Sequence, residues 1–124
     1  MNVLPAGSGD ASLIDGVAAS LIADAMFALS APSRVQILGS LLSGPLAVGD
    51  ITELLGMEQS AVSHQLRVLR EAGLVAAERR GKRRVYTIAS DTVGELLTTA
   101  RHLAGVREPG DDSPRAKAAG SMGS

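Results

Sequence analysis

Between Gly56 and Gly73 lies the stretch that most constrains what this chain can fold into: Met57-Glu58-Gln59-Ser60-Ala61-Val62-Ser63-His64-Gln65-Leu66-Arg67-Val68-Leu69-Arg70. Val62, Leu66 and Leu69 recur at helical spacing and form one apolar stripe. Gln59, Ser60, Ser63, His64, Arg67 and Arg70 fall mostly outside it. Amides, hydroxyls, an imidazole and guanidiniums are the groups that hydrogen-bond base edges and phosphates. The same pattern also describes an ordinary amphipathic surface helix, so the flanking segments must decide between the two.

The 124 residues fit one domain. Phe27 and Tyr86 are the only aromatic residues, so the core must be built from Leu, Ile, Val, Ala and Met. The absence of cysteine removes disulfides, thiolate metal sites and thiol redox sensing together. No apolar run reaches membrane-spanning length and no signal-like segment opens the chain, so a cytoplasmic location without membrane association is expected.

Residues 1–11 mix Gly, Ser, Pro and Asp without periodicity and read as a flexible arm; residues 109–124 read as a disordered tail. The folded domain is expected over 12–108. Ser12 can cap a first helix, with Asp15 in its first turn. Its apolar positions, from Leu13 and Val17 through Leu21 to Leu29, cover an arc too wide for a helix buried on one side only. Ala31-Pro32-Ser33-Arg34 marks a break and restart. Val35, Ile37, Leu38, Leu41 and Leu42 form a second helix, ended by Ser43-Gly44-Pro45. Val48, Ile51, Leu54 and Leu55 form a short third helix with Asp50 and Glu53 outward. The stretch described first then runs as a helix from about Gln59 to Glu71. Two short helices joined through a glycine fit a helix-turn-helix.

Leu74–Arg79 and Arg83–Ala89 read as strands joined by Arg80-Gly81-Lys82, a β-hairpin with a basic tip. Such a tip can simply guard a sheet edge. Five basic residues within six positions exceed that need and favour phosphate contact. A last helix, with Ser90 or Asp91 as cap, carries Val93, Leu96, Leu97, Ala100, Leu103 and Ala104 and is expected to end near Glu108. Net charge is −1, but Gln59–Arg84 holds seven basic and two acidic residues, a net of +5; the remainder holds five basic and eleven acidic, a net of −6. A local basic patch matters more for a polyanion than the total does.

This order of elements is that of a winged helix-turn-helix: mainly α with a β-hairpin wing, five helices and two strands. The sequence resembles the ArsR/SmtB family of bacterial metal-responsive repressors. The residues that carry the resemblance are Ala28-Leu29-Ser30-Ala31-Pro32-Ser33-Arg34, Asp50-Ile51, Gln59-Ser60-Ala61-Val62-Ser63-His64-Gln65-Leu66, Leu69-Arg70-Glu71-Ala72-Gly73-Leu74-Val75, and Arg79-Arg80-Gly81 with Val85-Tyr86. Met57 to Arg70 is similar to the nickel- and cobalt-responsive actinobacterial members. The resemblance implies a homodimeric transcriptional regulator, a repressor, binding an inverted repeat in double-stranded DNA. Gln59, Ser60, Ser63, His64 and Gln65 would face base edges, with Arg67 nearer phosphate. Arg79, Arg80, Lys82, Arg83 and Arg84 would meet the backbone or minor groove. The first and last helices would form the dimer interface through Leu13, Val17, Leu21, Val93, Leu96, Leu97, Ala100 and Leu103.

The resemblance also implies places for metal, and there this chain departs from the pattern. Around the third helix, Ala47 and Gly49 stand where the family places thiolates. On the last helix Asp91 matches the first family ligand, but Val93, Ala104 and Arg107 occupy the other three. Asp91 and His102 are left as weak candidates, able to meet only across a pair of last helices. No tightly held cofactor is expected, and nickel binding is at most weak. The effector response would then come from a partner protein. A regulator responding to a non-metal ligand and a winged-helix protein-interaction module are the alternatives. An enzyme is disfavoured, since no paired acid–base, nucleophile or phosphate-loop motif occurs.

Overall fold

A computed structural model describes residues 13–107. The elements run α1 (Gly16–Ala28), α2 (Pro32–Leu41), α3 (Val48–Leu55), α4 (Gln59–Glu71), β1 (Val75–Arg80), β2 (Arg83–Ile88) and α5 (Asp91–Leu103). The five helices and the two-stranded wing follow the expected order. The two terminal segments read as arm and tail, and the Ser12 cap, lie outside the described residues. Asp15 itself caps α1, accepting the Ala18 backbone N–H at 2.8 Å. Pro32 opens α2 where its missing N–H costs nothing, and α1 and α2 meet at 86°. No single described helix is long and apolar enough to cross a membrane.

The core is aliphatic apart from Tyr86. Ile37, Leu38 and Leu41 of α2, Ile51 of α3, and Val62, Leu66 and Leu69 of α4 form its centre, with Ala28, Leu74, Val75 and Val93 around them. Burying side chains of this size contributes about 1.5–3 kcal/mol each, so the stripe on α4 is what holds that helix in place. Phe27, the other aromatic residue, is 71% exposed.

The end of α4 is set by Gly73, whose φ of 78° suits the left-handed position after a helix. Gly73 N–H donates to Arg70 O at 3.0 Å and Leu74 N–H to Leu69 O at 2.9 Å. Leu74 is thereby committed to the helix cap and the strand starts one residue later than the pattern suggests. The strands pair antiparallel from Val75↔Ile88 to Arg80↔Arg83, leaving Gly81 and Lys82 as the turn. Leu46 and Tyr86 exchange backbone hydrogen bonds, 3.1 Å from Leu46 N–H and 2.8 Å from Tyr86 N–H. This bridge seats the wing against the loop before α3.

Asp50 stays at the surface as expected, with its side chain 40% exposed, and its Oδ2 also accepts the Ala47 backbone N–H at 2.9 Å, capping α3. One local expectation is corrected. The last helix stops at Leu103, not near Glu108. Gly105, at φ 75°, ends it with the same pair of bonds that ends α4, from Gly105 N–H to His102 O and Val106 N–H to Arg101 O. The stop signal was Gly105, four residues before Pro109.

Candidate nucleic-acid interface

On α4 the apolar stripe faces in and the polar face lies open. Gln59, Ser60, Ser63, His64, Arg67 and Arg70 are all exposed, while Val62, Leu66 and Leu69 are buried. Of the six side chains expected on the reading surface, Gln59, Ser60, Ser63, His64, Gln65 and Arg67, five are therefore exposed. Gln65 is the exception. It is half-buried, and its Oε1 accepts from Nη1 of Arg34 at 2.8 Å. Its acceptor is engaged inside the protein, which ties α4 to α2 through Arg34.

Arg34 is the residue that sequence reasoning passed over. Its Nε donates to Ala28 O at 2.6 Å and its Nη2 to Phe27 O at 3.3 Å, while its guanidinium lies 5.9 Å from the Phe27 ring centroid. Those carbonyls lie in the last turn of α1, where the helix's own ladder runs out; Phe27 O also accepts from Ser30 N–H at 3.0 Å and Ser30 Oγ at 2.6 Å. A cation there also suits the negative end of the helix dipole. One planar fork thus joins α1, α2 and α4. The available signal was a lone arginine in the first turn of an otherwise uncharged helix.

The wing divides its cations. The register sets Arg79 opposite Arg84 and Arg80 opposite Arg83, and like charges directly opposite repel. Arg80 is offset by Glu78, with Nε 2.9 Å from Oε2. Arg83 reaches Asp50 on α3, with Nη2 2.7 Å from Oδ2. The Ala47 amide, with Arg83 as a lesser cause, holds the Asp50 carboxyl below its ordinary range. Arg80 and Arg83, both expected to meet the DNA backbone or minor groove, thus each have an exposed carboxylate partner in the chain by itself. Arg79 and Lys82 form no ion pair among the described residues. Arg84 lies over Tyr86, 5.6 Å from the ring centroid, and it also borders a groove of about 520 Å³ between α4 and β2.

The positions proposed for a dimer interface separate into two groups. Leu13, Val17 and Leu21 of the α1 region are each about two-thirds or more exposed, and Leu103 is 88% exposed. Ala100 is exposed and Leu96 half-buried. Val93, by contrast, is buried in the chain's own core and Leu97 packs against that core. Val93 is therefore corrected from interface to core, because the helix needs it to hold α5 on the domain.

The described residues do not fit a metal of the family type. No group of three or more His, Asp or Glu side chains that could hold a metal ion occurs among them. Asp91 and His102 stand at opposite ends of α5, separated by roughly 16 Å of helix rise. They cannot share an ion within one chain.

The bacterial regulatory protein model of the arsR family matches residues 31–77, which span α2, α3, α4 and the start of β1. The NmtR transcriptional regulator of Mycobacterium tuberculosis is 51% identical over 87 residues, covering 70% of this chain and 72% of that protein. This chain belongs to the arsR family. The transcriptional repressor SmtB homologue of Synechocystis is 37% identical over 86 residues, covering 68% and 65% of the two chains. The homodimeric winged helix-turn-helix DNA-binding domain Mb0332 of Mycobacterium bovis, solved by NMR, superposes with a TM-score of 0.68 at 30% identity over 84% of this chain and 90% of that one. As an arsR-family protein the chain is a DNA-binding transcriptional regulator and not an enzyme. The family's helix-turn-helix is α3–α4, and the wing is β1–β2.

Proposed function

We propose that this arsR-family regulator is a cytoplasmic repressor that binds an inverted-repeat operator as a homodimer. The observation that carries the reading is the α4 polar face: Gln59, Ser60, Ser63 and His64 stand exposed in the first two turns, over a stripe anchored by Val62 and Leu66. The first turns of a recognition helix are those that reach base edges in the major groove. Arg67, Arg79, Lys82 and Arg84 supply phosphate contacts. Dimerisation is supported by α1, which leaves Val17 and Leu21 in water and buries only Ala28, and by the homodimeric relative. A twofold axis then presents two α4 helices to two half-sites.

The effector input differs from that of a self-sufficient metal sensor. Three of the four family ligand positions hold Val93, Ala104 and Arg107, so nickel is sensed through a partner protein and not by a full site on this chain. The Asp91–His102 pair, meeting across the dimer, would give only a weak, open site. A gel shift with the DNA upstream of its own gene, with and without nickel, tests both parts. Specific binding in the nanomolar range or tighter is expected, unchanged by nickel on the purified protein. Nickel-dependent release by the protein alone would refute the partner reading. Failure to prefer that DNA over a scrambled duplex would refute this operator.

A further inference from the structure

The groove between α4 and the wing is lined by Ser63, Leu66, Arg67, Arg70, Glu71, Arg84 and Tyr86. We propose that it is the seat of a DNA backbone phosphate, with Arg70 as a contact residue equal in weight to Arg67 and Arg84; this rests on α4 being the reading helix. Ser63, Arg67 and Arg70 are spaced i, i+4 and i+7, so they form one stripe along α4 that faces β2. Arg84 answers them from β2. Three guanidiniums thus border one hollow, and none of them has an ion pair among the described residues, whereas Arg80 and Arg83 do.

Leu66 is 1% and Tyr86 9% exposed, so they close the floor of the hollow, and an anion there must be held by the guanidiniums on its rim. Arg84 is held near the Tyr86 ring, which limits the freedom it would lose on binding. Glu71 is the one carboxylate on the rim, and three cations outweigh it.

Docking geometry supplies the ligand. With α4 in the major groove and the wing at the neighbouring minor groove, the strand that divides the two grooves must cross the interval between them. That interval is this hollow. Wing-tip residues Arg79 and Lys82 then contact phosphates farther along, and Arg83 is retained by Asp50.

The test is the salt dependence of binding, measured by fluorescence anisotropy on the operator and on a scrambled duplex of equal length. Arg67→Gln, Arg70→Gln and Arg84→Gln should each flatten the log K against log salt slope by up to about 0.9 per half-site, about 1.8 for the bound dimer, equally on both duplexes. Arg80→Gln should leave the slope unchanged. A second measurement replaces single operator phosphates by neutral methylphosphonates. One position should weaken the wild type and have no further effect in Arg84→Gln. If the wild type binds DNA while all three groove variants keep the wild-type slope, the phosphate seat is overturned and the α4 reading stands. If the wild type binds no duplex, the α4 reading itself falls and takes the seat with it.

Discussion

Arg34 Nη1 donates to Gln65 Oε1 at 2.8 Å, across thirty-one residues of sequence. The same guanidinium closes the C-terminal carbonyls of α1. Arg34 therefore links the end of α1, the helix proposed to face a second subunit, directly to α4. Arg34→Ala should destabilise the fold by about 1–3 kcal/mol in urea unfolding, because it strips a charged donor from three acceptors. Gln65→Ala should cost less, and the double variant should cost less than the sum of the two. Lysine at position 34 should not restore stability, since it lacks the planar fork.

The Asp50–Arg83 pair, 2.7 Å apart, leads to an expectation opposite to the usual loss of function. Asp50→Asn should release Arg83 toward DNA. Binding to all duplexes should strengthen at low salt, and the salt slope should steepen by up to about one per half-site. Arg83→Gln should flatten the slope less than Lys82→Gln does. The pair is largely solvent-exposed, so its own contribution to stability is small.

Acid should act through the same carboxylate. Asp50 is held below its ordinary value of 3.8 in the folded chain, chiefly by the Ala47 amide. A depressed folded value means that its contribution is complete above the unfolded pKa and fades as pH falls through the folded one. Wild type should therefore lose stability faster than Asp50→Asn below about pH 4, and the two should run parallel above it. Circular dichroism across an acid titration would show the divergence; its absence would detach the cap from folding.

Base reading and phosphate binding should separate by mutation. Ser63→Ala and His64→Ala should each reduce discrimination between operator and scrambled DNA by about 1–3 kcal/mol, with little change in the salt slope. Loss of affinity for both duplexes alike would instead place these residues on the backbone.

Val17 and Leu21 are 73% and 65% exposed in the single chain. Charged residues at both positions should leave a folded protomer, since neither contributes to the core, while abolishing the dimer. Light scattering should report the monomer mass, and operator affinity should fall far more than affinity for a single half-site.

Much of this molecule is written in local pattern. The stripe Val62, Leu66, Leu69 and the stop at Gly73 bound the recognition helix, and the 3.6 and 2 periodicities separate helices from wing strands. The reading face follows, because inward placement of that stripe leaves Ser63 and His64 outside. What local pattern does not contain is the partner of a long side chain. Arg80 and Arg83 look alike in sequence, yet one meets Glu78 two residues away and the other meets Asp50 thirty-three residues away. Gln65 and Gln59 sit on one helix, yet only Gln65 lies within reach of Arg34. Val93 looked like part of an interface stripe until packing placed it in the core. Chain periodicity determines which face of an element is buried; only the tertiary structure decides which polar groups are already satisfied, because those pairings depend on distances between elements far apart in sequence.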